Sequence, residues 1–359
     1  MDTPILQPDI RALLQEGTVI PAHPLALNEN RQLDEARQRG LTRYYMASGA
    51  GGVAVGVHST QFEIRDPRFN LYEPVLRLAA EEIAAAGLSR PFIKVAGIIG
   101  DTAQALREAE MALAYGYDLG LLGMGGLQGW SEEQVLERAK AVAAVIPIFG
   151  FYLQPSVGGR IFSYDFWRAF AEIPQVAAIK VAAFNRYQTL DVVRAVCFSS
   201  RREEIALYTG NDDNIIADLL STYRFEVAGK MVEKGFVGGL LGHWAVWTQQ
   251  AVALLAEVKD LKQQGDAGLA EMLTRNIAVT DMNAAIFDPS HGFHGCIAGI
   301  HEILRRQGLL AGRWCLNPEE ELSPGQMEEI DRVYAAYPQL TDDAFVKELL
   351  DQDIIANKL

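Results

Sequence analysis

The sequence contains only three cysteines in 359 residues, Cys197, Cys296 and Cys315. They are widely spaced, their number is odd, and they form no Cys-x-x-Cys pair. This set excludes a disulfide framework as the basis of the fold. We expect buried or free thiols in a reducing compartment, so the fold depends on a large hydrophobic core.

Positive charge is also scarce, because 32 Lys and Arg residues stand against 46 Asp and Glu residues, a formal net charge of −14. This balance disfavours nucleic acids and anionic membranes as partners and suits a soluble metabolic protein. An anionic substrate would need local positive charge or backbone amides to bind against the overall field.

Long hydrophobic runs are missing as well. The longest one, AVAAVIPIFGFYL at 141–153, is interrupted by glycine and proline and is too short to span a bilayer. The N-terminus has no basic flank followed by an apolar core, so we expect no secretory signal. The prediction is a cytoplasmic protein with no membrane partner.

Short apolar segments rich in β-branched residues alternate with helical patterns along most of the chain. Eight strands are predicted, at residues 18–23, 52–57, 92–98, 119–124, 147–152, 176–182, 205–210 and 235–242. Eight strands alternating with helices indicate an α/β protein with a (β/α)8 TIM barrel. A doubly wound sheet is the competing fold, but GMGGLQG at 123–129 does not have the dinucleotide-binding spacing.

The pattern changes at about residue 265, after which helices follow one another without strands. We therefore predict a catalytic barrel at residues 1–264 and a C-terminal helical extension at residues 265–359. We expect the extension to pack on the flank of the barrel or on a neighbouring subunit.

The predicted sixth strand carries a lysine in an apolar run, VAAIKVAAFN at 176–185. Such a run is typical of a strand that is buried on both faces. A buried Lys180 would have a lowered pKa and could act as a neutral nucleophile. The alternative is a lysine near the strand end whose head reaches water.

Two other strand ends supply suitable groups, and the chemistry of a barrel lies at the C-terminal ends of its strands. Tyr152 ends the fifth strand, and His58, Ser59 and Thr60 follow the second. A lysine for an imine, a tyrosine for proton transfer and a hydroxyl-rich turn for a carboxylate form a coherent set.

These segments resemble the dihydrodipicolinate synthase and N-acetylneuraminate lyase superfamily of class I aldolases. The resemblance covers most of residues 15–265 and, more loosely, the part that follows. In that family a Tyr-x-x-Pro segment ends the fifth strand, and an Ile-Lys pair lies on the sixth. This sequence has Tyr152 in YLQP and Lys180 in an Ile-Lys pair, and their separation, 180 − 152 = 28 residues, is similar to the family's.

The resemblance implies that Lys180 forms an imine with a 2-oxo acid such as pyruvate and that Tyr152 transfers protons. The family's carboxylate-binding turn corresponds to residues 58–62, in which Ser59 and Thr60 keep two hydroxyls while both glycines and a glutamate are lost. The resemblance also implies a homo-oligomer, a tetramer or a dimer. We expect no cofactor, because an imine mechanism needs none.

The sequence also departs from the family's synthases. They have a tyrosine pair after the fourth strand, where Gly125 and Gly126 stand here. They have an arginine at the offset of Val157, so Arg160 is the expected substitute. We therefore do not expect the lysine-biosynthesis reaction. The glycines are predicted to widen the site for a bulkier or sugar-derived 2-oxo acid that stacks on Trp130.

The segment 287–301, FDPSHGFHGCIAGIH, has a spacing of Asp288, His291, His294 and His301 that could bind a divalent metal. The alternative is a polar turn before a C-terminal helix, with His301 on the helix face. We favour the turn and predict no metal, because an imine mechanism does not need an electrophilic metal.

Two further strand ends carry candidate substrate-binding residues. GNDDN at 210–214 begins with Gly210, and its aspartates disfavour phosphate and indicate hydroxyl recognition or a helix N-cap. GLLGHW at 239–244 contributes Gly239 and His243. His243 suits a structural role in the barrel as well as it suits a contact with substrate.

The sequence thus predicts a Schiff-base-forming lyase, an aldolase or a dehydratase, that acts on pyruvate or a hydroxylated 2-oxo acid. One alternative is a non-catalytic 2-oxo-acid or sugar-acid binding or regulatory protein on the same barrel. Another is a metal-dependent aldolase or hydrolase that uses His291 and His294.

Overall fold

The computed structural model describes residues 4–265 and 268–352, and helices and strands alternate through most of them. The strands are β1 (Val19–Pro21), β2 (Gly52–Val55), β3 (Ile93–Ile98), β4 (Leu119–Leu122), β5 (Ile148–Leu153), β6 (Val176–Ala182), β7 (Ala206–Thr209), β8 (Tyr223–Val227), β9 (Lys230–Lys234) and β10 (Phe236–Leu241). The α-helices are α1 (Pro8–Glu16), α2 (Glu35–Ala47), α3 (Tyr72–Ala86), α4 (Thr102–Ala114), α5 (Glu132–Ala143), α6 (Tyr164–Ala171), α7 (Arg186–Phe198), α8 (Ile215–Leu220), α9 (Thr248–Gln264), α10 (Leu269–Phe287), α11 (Cys296–Arg306), α12 (Gln326–Ala336) and α13 (Asp343–Asp351).

Strands β1 to β7 and β10 belong to one eight-stranded sheet. Each of them coincides with a predicted strand, so the (β/α)8 barrel and the helices that follow it are confirmed. The apolar content of these strands explains the agreement. All seven residues of β6 are buried, as expected for a parallel strand covered on both faces.

The chain divides into two compact units. The first contains Ile93–Leu240 and the N-terminal segment up to Thr18. In it, strands β3, β4, β5, β6, β7 and β10 pair in parallel in that order. Helices α4 and α5 begin at Asp101 and Ser131, whose side chains accept hydrogen bonds from backbone amides and so cap the helices.

The second unit contains Val19–Phe92 and the chain from Leu241 onward. In it, β1 and β2 meet in a parallel bridge between Ala22 and Ala54, and α2, α3 and the helices from α9 onward belong to the same unit. This division differs from the predicted boundary between residues 264 and 265, which stays a prediction.

A β-hairpin, β8 and β9, stands outside the eight predicted strands. The two strands pair in antiparallel register and are joined at Ala228 and Gly229, which both have positive φ, 51° and 76°. Two residues with positive φ fit the twist of a tight hairpin turn. The alternating sequence YRFEV before Ala-Gly was the available signal for this hairpin.

None of the helices in the described ranges is long and apolar enough to cross a lipid bilayer. All three cysteines are buried.

Candidate active site around Lys180

Lys180 lies in the middle of β6 with only 7% of its surface exposed. In the parallel register it stands opposite Phe151 on β5 and Tyr208 on β7. Its Nζ is 4.4 Å from the centroid of the Phe151 ring, which is within the range of a cation–π contact. The amine is therefore buried beside aromatic rings, and the alternative of a lysine head in water does not apply.

The neighbours of Lys180 show which face of the sheet it occupies. A side-chain carbon at Gly150 would lie 2.6 Å from the ring of Phe170 on α6, so Gly150 faces the helices. Successive residues of a strand face opposite sides of the sheet. Phe151, and Lys180 in register with it, therefore face the inner side of the sheet.

Burial lowers the pKa of Lys180 to about 8, and the carboxylate of Asp212 opposes this shift. Desolvation has this effect because it disfavours the charged form of the amine. A larger fraction of Lys180 is therefore a neutral nucleophile at neutral pH than for an exposed lysine.

The loop after β7 lies against Lys180. A side-chain carbon at Gly210 would lie 2.6 Å from Lys180 Cε and 2.9 Å from the Cβ atom of Ala182. Glycine at this position leaves room for the lysine side chain, which occupies the space that a Cβ atom would need. Asp212, two residues further along the loop, is 5% exposed.

We expect Gly210→Ala to displace the Lys180 amine while the barrel still folds. The added methyl group meets a flexible lysine on one side and a fixed strand residue on the other. A displacement of about 1 Å lowers the rate of a positioned nucleophile by roughly 10- to 100-fold. The rate of borohydride trapping at Lys180 measures this loss. A variant that melts like the wild type and is trapped at the wild-type rate would contradict the expectation.

A hydrogen-bond network fixes the loop that carries Gly210 and Asp212. The buried side chain of Asn211 accepts from the Phe184 amide at 2.9 Å and donates to Asp218 Oδ2 at 2.8 Å. The Thr209 hydroxyl donates to the same carboxylate oxygen at 2.7 Å. These hydrogen bonds hold the loop next to Lys180.

Tyr152 lies on the outer face of β5, where its ring packs against Trp167 of α6 with centroids 5.2 Å apart. Burial raises the pKa of Tyr152 to about 12, which the backbone at Phe162 opposes and the charge of Asp191 reinforces. Its hydroxyl is buried near Phe162 without a hydrogen bond of good geometry. The structure does not bring Tyr152 and Lys180 to one face of the sheet, so the predicted proton transfer by Tyr152 stays untested.

The predicted carboxylate-binding turn belongs to the second unit. The Ser59 hydroxyl donates to the carbonyl of Ala22 at 2.9 Å, and the Thr60 hydroxyl donates to that of His23 at 2.6 Å. Both protons thus tie the turn to the end of β1. His58, in the same turn, makes an edge contact with Phe62. Carboxylate binding at this turn stays a prediction.

Arg160 and the glycine-rich loop lie together in the first unit. Arg160 donates to the carbonyl of Trp130 at 2.7 Å. A side-chain carbon at Gly125 would lie 2.0 Å from the carbonyl oxygen of Gly158. Glycine at 125 thus allows its loop to pack closely against Gly158. The predicted role of this glycine, widening of the site, stays a prediction.

Gly239 and His243 lie at the end of β10. The Gly239 amide donates to the carbonyl of Thr18 at 3.2 Å. Burial lowers the pKa of His243 to about 4, so this imidazole is neutral at neutral pH. Within the second unit His243 lines a cavity of about 40 Å³ together with Trp247 and Met282. Whether these residues bind substrate stays a prediction.

The histidine segment before α11 forms a turn. His291 Nδ1 lies 2.5 Å from Asp288 Oδ1, and the second oxygen of Asp288 accepts from the Gly295 amide and the Ser323 hydroxyl. His301 is buried in α11. In residues 4–265 and 268–352 no three His, Cys, Asp or Glu side chains are grouped as metal ligands would be.

Phe151 and Asp212 are neighbours of Lys180 that the sequence does not single out. The only available signals were the Phe-Tyr pair at the end of the fifth strand and the aspartates of GNDDN after the seventh. Neither pattern reveals which side chain faces the lysine, because that depends on the register between strands.

The fold and the buried lysine together define a (β/α)8 barrel with a candidate nucleophile on its sixth strand. Comparison with solved structures shows which proteins share this fold. Dihydrodipicolinate synthase from Oceanobacillus iheyensis matches with a TM-score of 0.70 and 17% identity, over 92% of this chain and 100% of the synthase. N-acetylneuraminate lyase from Fusobacterium nucleatum matches with a TM-score of 0.69 and 16% identity, over 90% and 99% of the two chains.

Dihydrodipicolinate synthase from Bacteroides thetaiotaomicron matches with a TM-score of 0.70 and 15% identity, over 94% of this chain and 100% of that one. This likeness confirms the predicted resemblance at the level of the fold, including the helices that follow the barrel. No model of a protein family matches the sequence, and no curated protein matches it.

Proposed function

We propose that this protein is a Schiff-base-forming lyase of the dihydrodipicolinate synthase and N-acetylneuraminate lyase superfamily. The observation that carries the proposal is Lys180, which is buried on the inner face of the sixth strand with its pKa lowered to about 8. The structural neighbours bear the names of enzymes of this superfamily. The lysine supplies the nucleophile that such a lyase requires.

The proposed reaction begins when the neutral amine of Lys180 attacks the ketone carbon of a 2-oxo acid. A carbinolamine forms and then loses its hydroxyl as water, which leaves a protonated imine on Lys180. The iminium withdraws electrons from the neighbouring carbon–carbon bond. In aldol cleavage the β-hydroxyl loses its proton, the bond between the α- and β-carbons breaks, and an aldehyde leaves; the remaining enamine then takes up a proton at the α-carbon. In dehydration the α-carbon loses a proton and the β-hydroxyl leaves as water. In both cases water finally hydrolyses the imine and releases the product and the amine.

The proposed substrate is pyruvate or a hydroxylated, sugar-derived 2-oxo acid. The Fusobacterium nucleatum lyase has been solved in complex with pyruvate, and a Clostridium difficile neighbour in complex with mannosamine. The lysine-biosynthesis reaction is not proposed, because a side chain at Gly125 would collide with the carbonyl of Gly158, leaving no room there for an aromatic residue. We also propose that the protein is a homo-oligomer and that it acts in the cytoplasm.

Borohydride reduction in the presence of pyruvate, followed by peptide mass spectrometry, tests the proposed imine. We expect a reduced pyruvyl adduct on Lys180 and on no other lysine. Lys180→Arg should give no adduct, because a guanidinium is not a nucleophile at neutral pH.

Lys234 offers a matched control, since burial also lowers its pKa. Its Nζ donates to the carbonyl of Arg202, so it is held by the backbone. Lys234→Arg should keep the adduct on Lys180. Absence of any adduct with pyruvate and with a panel of larger 2-oxo acids would refute the proposal.

Two observations favour a second candidate function, a non-catalytic binding protein. Tyr152 faces the helices, and the hydroxyls of Ser59 and Thr60 donate to backbone carbonyls. Calorimetric binding of a 2-oxo acid to wild type and to Lys180→Arg with equal affinity, without a trapped adduct, would support this function.

A further inference from the structure

We propose that Asp212 is the charge partner of Lys180, the carboxylate that stabilises the ammonium before attack and the iminium after it. The role in turnover rests on the proposed lyase function, whereas the charge interaction can be measured without any substrate. This role of the loop after β7 differs from the hydroxyl recognition or helix N-cap that GNDDN predicts.

Geometry places this loop against the lysine. The amide of Gly210 donates to the carbonyl of Val181 at 2.7 Å, immediately beside Lys180 on the neighbouring strand. The Cβ position of Gly210 is 2.6 Å from Lys180 Cε. Asp212 follows two residues later and is 5% exposed. Its negative charge raises the pKa of Lys180, whereas burial lowers it.

Other groups around Lys180 are less suited to the role. On β5 the facing residue is Phe151, which carries no charge. On β7 it is Tyr208, whose pKa is raised by burial and whose hydroxyl donates to the carbonyl of Leu14 at 3.0 Å. Asp213, next in the loop, interacts with the charge of Arg186. Among these groups, Asp212 is the one whose negative charge acts on Lys180.

The loop is built to hold Asp212 in place. Asn211 is tied to the Phe184 amide and to the Asp218 carboxylate, and its carbonyl accepts from the Asn214 amide at 2.9 Å. Hydrogen bonds on both sides of Asp212 restrict its position. A fixed carboxylate in a medium of low polarity acts more strongly on a nearby cation than a mobile one in water.

The lysine nitrogen carries a positive charge in two states, as the ammonium before attack and as the iminium after it. The ammonium loses a proton before attack, and the carbinolamine then takes up a proton as its hydroxyl leaves as water, so the iminium again carries one positive charge. A carboxylate that stabilises this charge keeps the imine protonated, and only the protonated imine withdraws electrons effectively.

The titration of Lys180 tests the proposal directly. Reductive methylation with formaldehyde and cyanoborohydride, followed by mass spectrometry of the Lys180 peptide across a pH series, reports the fraction of neutral amine. We expect a midpoint near pH 8 for the wild type. Asp212→Asn removes the charge that raises this pKa, so its midpoint should fall by about one unit or more.

Asp213→Asn is the matched control, since it neutralises the adjacent carboxylate and should leave the midpoint unchanged. An unchanged midpoint in Asp212→Asn would overturn the inference. If that variant does not fold, Asp212→Glu takes its place. Retention of the charge should then hold the midpoint at or above the wild-type value, and a fall of one unit would overturn the inference.

The same variants separate this inference from the proposed function. A shifted midpoint in Asp212→Asn, without an adduct of pyruvate or of any larger 2-oxo acid in the wild type, would support the charge pair and refute the lyase. An adduct in the wild type together with an unchanged midpoint in Asp212→Asn would support the lyase and refute the charge pair. With both intact, trapping of pyruvate by Asp212→Asn should fall at least tenfold at pH 8.

Discussion

Lys180→Met is expected to stabilise the protein by about 3 kcal/mol at neutral pH while abolishing imine formation. Burial lowers the pKa of Lys180 from 10.5 to about 8. At about 1.4 kcal/mol per unit, this shift corresponds to a free-energy cost of about 3 kcal/mol for the protonated native lysine. The shift already includes the attraction of Asp212, so the cost is a net one. Methionine has a similar length and carries no charge.

The pH dependence of this gain follows from the direction of the shift. Below pH 8 the amine is protonated in the native and the unfolded protein, so the whole cost is present. Between about pH 8 and 10.5 the native amine loses its proton first, so the stability of the wild type rises with pH relative to Lys180→Met. The advantage of methionine should therefore shrink to about 1 kcal/mol at pH 9.5.

Urea denaturation of both proteins at pH 6.5 and at pH 9.5 measures this difference. Lys230→Met provides a control on the exposed hairpin, where we expect a change of less than about 0.5 kcal/mol. Equal stability of Lys180→Met and wild type at pH 6.5 would mean that the lysine is not desolvated as the structure indicates. Lys180 would then not have the lowered pKa that makes its amine a nucleophile at neutral pH.

The loss of folding stability caused by the buried lysine on β6 calls for a functional explanation. The other residues of β6 are apolar and buried, so a hydrophobic side chain at position 180 would give a more stable barrel. Proteins accept a local loss of stability where activity requires it. The cost at Lys180 is therefore an argument for chemistry at this position that does not depend on resemblance to any family.

The barrel could be predicted from the sequence because its strands are short, apolar and regularly spaced. The ends of each predicted strand lie within about two residues of the observed ones, and the burial of Lys180 follows from the apolar run around it. The hairpin of β8 and β9 was missed because its half-exposed strands lack the continuous apolar character of the others.

The faces of the side chains could not be predicted in the same way. Between β5 and β6 the register shifts by one residue, since Ile148 pairs with Val176 whereas Phe149 pairs with Ala178. After this shift the offset between partners is 178 − 149 = 29 residues instead of 28, so Lys180 stands opposite Phe151 and not opposite Tyr152. Tyr152, the next residue on β5, lies on the other face and packs against α6. The spacing of 28 residues between tyrosine and lysine carries no information about this shift.

The C-terminal extension should contribute strongly to stability through one buried carboxylate, and Asp342→Ala tests this contribution. Asp342 is 3% exposed and accepts three hydrogen bonds within the second unit. The Tyr44 hydroxyl donates to it at 2.7 Å, the Gln307 side chain at 2.7 Å and the Gln249 amide at 3.1 Å. Burial raises the pKa of Asp342, and these donors oppose that shift.

Alanine at position 342 would remove the acceptor of the buried Tyr44 hydroxyl and of the Gln249 amide, and one of the two acceptors of the Gln307 side chain. Each such group costs about 1–3 kcal/mol, so we expect a loss of roughly 3 kcal/mol or more in the free energy of unfolding. Asp343→Ala is the control, because Asp343 is exposed and accepts a hydrogen bond from the Gln307 side chain at 2.8 Å. Similar urea midpoints for the two variants would contradict the proposed role of Asp342. A loss confined to Asp342→Ala would show that this carboxylate, next to the start of α13, contributes to the stability of the unit that also contains Tyr44 of α2 and Gln249 of α9.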